Sequence, residues 1–302
     1  MQDTIQAARP GWRRFIDFPL VSMVLAFAAI VLAGALGSRI IQSLPMREGL
    51  LLTAFKAVIS VALVVLVYKL FVVRLGERPR DDLVANRAGL RDLGIGIAAG
   101  GLLFAAVAAV AGLFGVFRVT GWGDPQAFLL AIFTLGLVPA VNEEILARGV
   151  LFRFLEEFGG TWSALVLTSL LFGMAHFFNP GASLLSSLAI ALEAGVLLGG
   201  AYMLTRNLWL AIGLHGGWNV TQGGVFAVPV SGFQSKGLLT SELNGNPLLS
   251  GGGFGLEASL IAVLLVTAAG LWMVWRAVQA GRLAGPFWTE RRRAREASAE
   301  TL

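Results

Sequence analysis

The sequence predicts an all-α protein, a polytopic membrane bundle of about eight transmembrane helices with both ends on the cytoplasmic side. Three observations carry this. Hydrophobic residues make up 56% of the chain and charged ones 14%, a balance foreign to soluble domains. Apolar runs of about 20 residues, the length that crosses a bilayer, recur along it. Basic residues crowd the segments on one side of those runs, which orients the bundle.

The runs cover 19–37, 50–73, 93–117, 126–147, 161–178, 182–204, 208–228 and 257–279. The segment before the first, MQDTIQAARPGWRRFIDF, lacks a short apolar core with a small-residue cleavage site, and reads as a retained cytoplasmic lead-in. The second run holds Lys56 and Lys69, and Lys69 is expected to snorkel to the interface. The fourth should continue as a helix through Arg148, Arg153, Glu156 and Glu157 and stop at Gly159-Gly160. Thr161 would cap the fifth, which ends at Phe178 before Asn179-Pro180. The Gly-, Ser- and Asn-rich stretch 229–256 reads as an extracytoplasmic loop. Residues 286–302 read as a basic cytoplasmic tail, solvated or facing lipid headgroups. The whole, 1–302, is one integral membrane domain, with 125–228 as its chemical core.

Arg13, Arg14, Arg74, Arg78, Arg80, Arg87 and Arg91 lie on the side assigned to the cytoplasm, with Arg9 and the tail arginines Arg291, Arg293 and Arg295. Only Arg39, Arg47, Arg118 and Lys236 lie opposite. The net charge of +5 is thus spent on topology and does not suggest nucleic acid binding. With no cysteine, disulfides, thiolate metal sites and a cysteine nucleophile are excluded.

Two adjacent glutamates, Glu143 and Glu144, sit inside the fourth run. Carboxylates at membrane depth cost several kcal/mol unless paired or hydrated. Arg148 follows Glu144 at i+4, the favourable order for a helical ion pair. Glu143 is rotated about 100° from Glu144, so the two need not share a task. Pro139, one turn earlier, cannot donate to the Leu135 carbonyl and should kink the helix. A freed carbonyl within the bilayer needs water or a protein donor.

The only two histidines, His176 and His215, also lie in apolar runs. Glu143 precedes Gly159 by as many residues as His176 follows Gly160, so an antiparallel hairpin sets both about 24 Å from the turn. Phe172 shares a face with His176, and Asn219 shares one with His215. Gly216-Gly217 allows close backbone approach beside His215. Glu193 is a further intramembrane carboxylate, read as a helix-bridging or supporting group about 8 Å deeper than His215.

Each feature alone has an ordinary reading: a structural ion pair for Glu144–Arg148, a cross-helix hydrogen bond for a histidine, packing for Asn219 and Phe172. Together, two carboxylates, two imidazoles and an amide can activate water. A glutamate takes the proton, the histidines either ligate a metal or donate to an oxyanion, and Asn219 is a natural oxyanion donor. The product is a hydrolysed amide bond in the membrane. No His-Glu-x-x-His helix is present. Ser169 and Ser186 are the remaining candidate nucleophiles.

Glu143-Glu144-x-x-x-Arg148, Phe172-x-x-x-His176 and His215-x-x-x-Asn219 resemble, in order and spacing, the three signatures of the CPBP (CAAX protease and bacteriocin-processing) intramembrane proteases. That family includes the Ras-converting type of prenyl-protein endopeptidase. The resemblance covers about 125–228. It implies that Glu143 activates water, Glu144 assists, His176 and His215 serve as metal ligands or on the oxyanion side, Asn219 holds the oxyanion and Arg148 supports the glutamates. His176, His215 and Glu143 can supply the three protein ligands of a catalytic Zn2+, and can equally form a metal-free centre. The substrate implied is a membrane-associated or lipidated peptide or protein. The Ala-, Gly- and Arg-rich composition is compatible with a bacterial cytoplasmic membrane.

Two other classes remain. A proton-coupled transporter would use the carboxylates and histidines as a relay and should show inverted repeats with broken helices in corresponding halves. A non-catalytic scaffold or bacteriocin-immunity protein would keep the site only for stability.

Overall fold

The computed structural model describes residues 10–42, 49–289 and 292. Most of the amino-terminal lead-in, Arg47 and the tail arginines Arg291, Arg293 and Arg295 lie outside the described residues. The fold is an all-α membrane bundle with one small sheet.

Its elements are α1 (Pro19–Gln42), α2 (Leu50–Leu70), α3 (Arg87–Leu113), β1 (Phe117–Trp122), α4 (125–159), α5 (161–178), α6 (Leu184–Thr205), α7 (209–225), β2 (Leu239–Leu243) and α8 (Leu260–Gln279). Six helices among the described residues are long and apolar enough to cross a membrane, and one of these, Pro125–Phe178, spans 54 residues. It is two arms. The backbone reverses at Gly160 (φ 84°, ψ 170°), a left-handed position where a side chain would be strained. A Cβ there would also press on the Ala284 carbonyl at 3.0 Å. The seventh apolar run became α7, 11 α-helical residues followed by six π-helical ones, shorter than the other spans. All eight expected helices are therefore present. Capping side chains set the starts of four of them, Asn86 for α3, Asp124 with Pro125 for α4, Ser183 for α6 and Ser259 for α8.

Several local details differ from or add to the sequence reading. The third run stops at Leu113, and Phe117–Trp122 leaves it as a strand. It pairs antiparallel with Leu239–Leu243, inside the stretch expected to be loop throughout. The register sets Phe117 opposite Leu243 and Arg118 opposite Glu242, with an irregularity between Val119 and Gly121. The partners lie over a hundred residues apart, so neither segment's own pattern reveals the pairing. Lys69 finds protein partners in the segment that follows α2. Its Nζ donates to Asp81 Oδ2 and to the Leu83 carbonyl, each at 2.6 Å. The Thr161 hydroxyl donates to Glu156 Oε1 at 2.6 Å and accepts from the Ala284 N–H at 2.8 Å. It ties the α4–α5 corner to the segment after α8.

One end of the bundle is sewn by charge. Arg153 is fully buried and donates to the carbonyls of Val72, Leu75, Arg78 and Arg80 at 3.0–3.4 Å. Arg80 reaches Tyr202 Oη at 2.7 Å and Asp82 at 3.2 Å, and Glu156 takes Arg206 through both oxygens. Burial alone would lower the Arg80 pKa, but Tyr202, Asp82 and Glu156 hold it above the ordinary arginine value. These contacts fasten residues 72–83 over the ends of α4 and α6.

Helices α3 and α7 pack backbone to backbone. A Cβ on Gly96 would sit 2.6 Å from the Leu210 carbonyl. Cβ atoms on Gly100, Gly213 or Gly217 would collide with the backbones of Leu214, Leu93 and Ile97 respectively. Only glycine lets the two backbones meet this way. Beside the seam, Phe104 meets Trp218 edge to face at 5.1 Å. Helix α7, which carries His215 and Asn219, is thereby fixed from behind.

Candidate active site

The helices that bear the site are not regular. In α4 the residues Ile132–Leu137 and Ile145–Phe152 are π-helical and flank an α-helical turn, Val138–Glu144. Ala191–Gly195 of α6 and Val220–Val225 of α7 are π-helical as well. Such turns admit an extra residue and re-aim side chains, and they cluster at functional positions.

Glu144 and Arg148 are completely buried, and Arg148 Nη1 lies 2.9 Å from Glu144 Oε1. Arg148 Nη2 donates to the carbonyls of Ala194 and Gly195, each at 3.2 Å, in the π-helical turn of α6. Its guanidinium also stacks 4.8 Å over the Phe172 ring. The expected ion pair is thus present, and it bridges α4 to α6.

The same Glu144 oxygen lies 3.0 Å from His215 Nδ1. An arginine-paired carboxylate accepts only, so Nδ1 carries the proton and donates it. Nε2 of His215 is left facing Glu143 Oε2 at 3.9 Å. His176 is held likewise: its Nδ1 lies 2.7 Å from the Phe172 carbonyl, which can only accept. Both imidazoles are therefore fixed through Nδ1 and leave Nε2 available.

Glu143 differs from its neighbour. Its side chain is 40% exposed while that of Glu144 is 0%. Glu143, His176, His215 and Asn219 all line one cavity of about 1070 Å³. The rest of its wall is mainly apolar, from Met23, Val24 and Phe27 of α1 to Leu171 and Met174 of α5. The hairpin about Gly160 brings Glu143 and His176 to the wall of the same cavity.

Asn219 is 6% exposed and its Nδ2 donates to the Leu135 carbonyl at 3.0 Å. That is the carbonyl Pro139 cannot serve. Proline in α4 thus supplies an anchor for the amide of α7, and one N–H of Nδ2 remains for another acceptor.

Glu193 is 2% exposed and lies with His176 and His215 around a second, smaller cavity of about 40 Å³. Sequence reasoning missed two residues there. Ser231 donates its N–H and its hydroxyl to Glu257 Oε2 at 2.7 and 2.9 Å, and Trp218 Nε1 donates to Glu257 Oε1 at 3.3 Å. Glu257 carried a signal, as an acid at the mouth of the last apolar run. Ser231, in a Gly- and Ser-rich stretch, carried none. The two serines weighed as nucleophiles line neither cavity. Ser186 completes the cap of α6, and Ser169 packs where Gly195 approaches.

As for metal, no group of three or more His, Asp or Glu side chains that could hold an ion occurs among the described residues. Glu143, His176 and His215 share a cavity wall without gathering into such a set.

No curated protein and no solved structure matches this chain. The model of one protein family does, over the stretch that contains all three motifs. Residues 125–221 match the family described as type II CAAX prenyl endopeptidase Rce1-like. This is a family of membrane proteases, and the match over those residues supports a relationship to it.

Proposed function

We propose that the protein is an intramembrane endopeptidase that hydrolyses peptide bonds of membrane-associated or lipidated, CAAX-type peptides with a water activated by Glu143. The observation that carries this is the placement of His215 between the two glutamates. Glu144 fixes its tautomer from one side, and its free Nε2 faces Glu143 across 3.9 Å. That gap is too long for a direct hydrogen bond and suits one water touching both groups.

Glu143 takes a proton from this water as its oxygen attacks the peptide carbonyl, and then returns the proton to the departing amine. The spare N–H of Asn219 and the free edge of His176 are the donors for the oxyanion that develops. His176 meets that need when its Nε2 carries a proton. Glu144 and Arg148 do not touch the reacting atoms. They hold His215, the part a carboxylate plays behind a catalytic imidazole elsewhere. The apolar wall of the large cavity suits a lipidated or hydrophobic segment.

The charge bias favours an arrangement with the Arg80–Arg153–Glu156 end in the cytoplasm, in a bacterial cytoplasmic membrane. Glu143, between two and three turns from that end, would then meet substrates from the cytoplasmic leaflet.

The test uses purified protein in lipid nanodiscs and a quenched fluorescent farnesylated peptide ending in a CAAX sequence. Wild type should cleave it, and Glu143→Ala and His215→Ala should not, while both variants insert and keep their helical signal. Full activity in either variant would sink the assignment. Activity that survives exhaustive chelation would remove the metal and leave the protease.

A further inference from the structure

Glu193 poses a problem that the catalytic reading does not solve. It is 2% exposed, lies in the middle of α6, and among the described residues its carboxyl has no hydrogen-bond or ion-pair partner. A polar group so placed is costly unless something else satisfies it. It borders the cavity of about 40 Å³, and a single water needs only about 10–15 Å³ of such space. Across the cavity stands Glu257, held by Ser231 and Trp218. Among the described residues no three metal-ligating side chains converge there.

The location gives the cavity a role. His176, His215 and Asn219 line both this chamber and the large one, so one wall of side chains separates the two. A hydrophobic substrate filling the large cavity would displace its water. The small chamber lies outside that path.

We propose that this chamber is a bound-water site, held by Glu193 and Glu257, that supplies the catalytic centre through the wall of His176, His215 and Asn219. The supply role rests on the hydrolase reading above, while occupation by water does not. Glu193 is then a positioning residue for water and takes no part in bond making.

Two readouts separate these claims, both on the full chain in nanodiscs. In synchrotron hydroxyl-radical labelling, a bound water oxidises its buried neighbours. Trp218 is only 9% exposed and lines the chamber, so wild type should show labelling there within milliseconds. Glu193→Leu should cut it at least fivefold, and Glu193→Gln, which still hydrogen-bonds water, should keep it. Ala194→Val, which fills the chamber from the neighbouring lining position, should lower it too and covers the case in which Glu193→Leu fails to assemble. An unlabelled Trp218 in wild type, or labelling that survives both chamber-filling changes, overturns the water site. With the farnesylated peptide, Glu193→Leu should lower kcat about tenfold at unchanged KM, with a smaller loss in Glu193→Gln. An unchanged kcat in a chamber shown to be dry overturns the supply role. A wild type that cleaves nothing defeats the hydrolase reading, and the labelling still decides the chamber.

Discussion

Helices α1 and α2 and helices α4 to α7 are built from similar apolar residues and behave differently. The first pair runs as regular α-helix for 24 and 21 residues and turns large side chains such as Leu32, Leu36 and Leu51 outward. The second group is interrupted by four π-helical stretches, and all of these lie between Ile132 and Val225. Its interior holds Glu144, Arg148, Glu193 and Asn219, each at most 6% exposed. The interruptions and the buried polar groups coincide for a physical reason. A widened turn leaves carbonyls for side chains to use, as those of Ala194 and Gly195 receive Arg148. Regular helix in lipid has no spare backbone groups to offer. The pattern also speaks against the transporter reading, which needs interruptions in corresponding halves of the chain.

This contrast can be broken by experiment. The largest expected effect is at Glu143, where Ala should lower kcat by about 10²–10⁴-fold with little change in stability, because the side chain is half in the cavity. Asn219→Ala should cost about 10²–10³-fold in kcat, as for removal of one oxyanion donor. Pro139→Ala tests whether the irregularity itself matters. It restores an N–H that can compete for the Leu135 carbonyl, so Asn219 loses its anchor. A loss of about tenfold or more in kcat is expected for a small displacement, with KM steady, and little further loss when Asn219→Ala is already present. Additive losses in that double variant would separate Pro139 from Asn219.

Arg148→Ala should act on stability, since it strands the buried Glu144 charge. About 3–5 kcal/mol is expected, read from chemical denaturation in detergent, with activity lost alongside. Gly100→Ala, in the seam between α3 and α7, should cost about 1–3 kcal/mol by overpacking. The smallest effect is expected at the sheet. Arg118 and Glu242 pair at 2.9 Å but are 72% and 50% exposed, so Arg118→Ala should leave stability within about 1 kcal/mol and kcat unchanged. A tenfold fall in kcat from Arg118→Ala would show that the chemistry extends beyond the irregular helices.

Much of this was legible in the sequence because the signals were local. Eight apolar runs, a glycine pair that ends a helix, and i, i+4 partners require no knowledge of distant chain. The hairpin that carries Glu143 and His176 to one cavity could be read because its turn, Gly159-Gly160, lay between them. Pro139 predicted a carbonyl in need, and the structure supplied Asn219 as its partner. What remained hidden was non-local or fine. The pairing of β1 with β2, the fastening of residues 72–83 by Arg153, and the Ser231–Glu257 contact each join segments far apart. The π-helical turns leave no periodic trace, since one extra residue per turn shifts a pattern without erasing it.

The central claim is that Glu143 activates the water that cleaves the peptide. It is tested most directly by following cleavage of the farnesylated peptide in 18O-labelled water with wild type and Glu143→Ala in matched nanodiscs. One labelled oxygen should appear in each new carboxylate made by wild type, with product formation at least 10²-fold slower in the variant. Cleavage by Glu143→Ala at the wild-type rate, with the same label, would contradict the account.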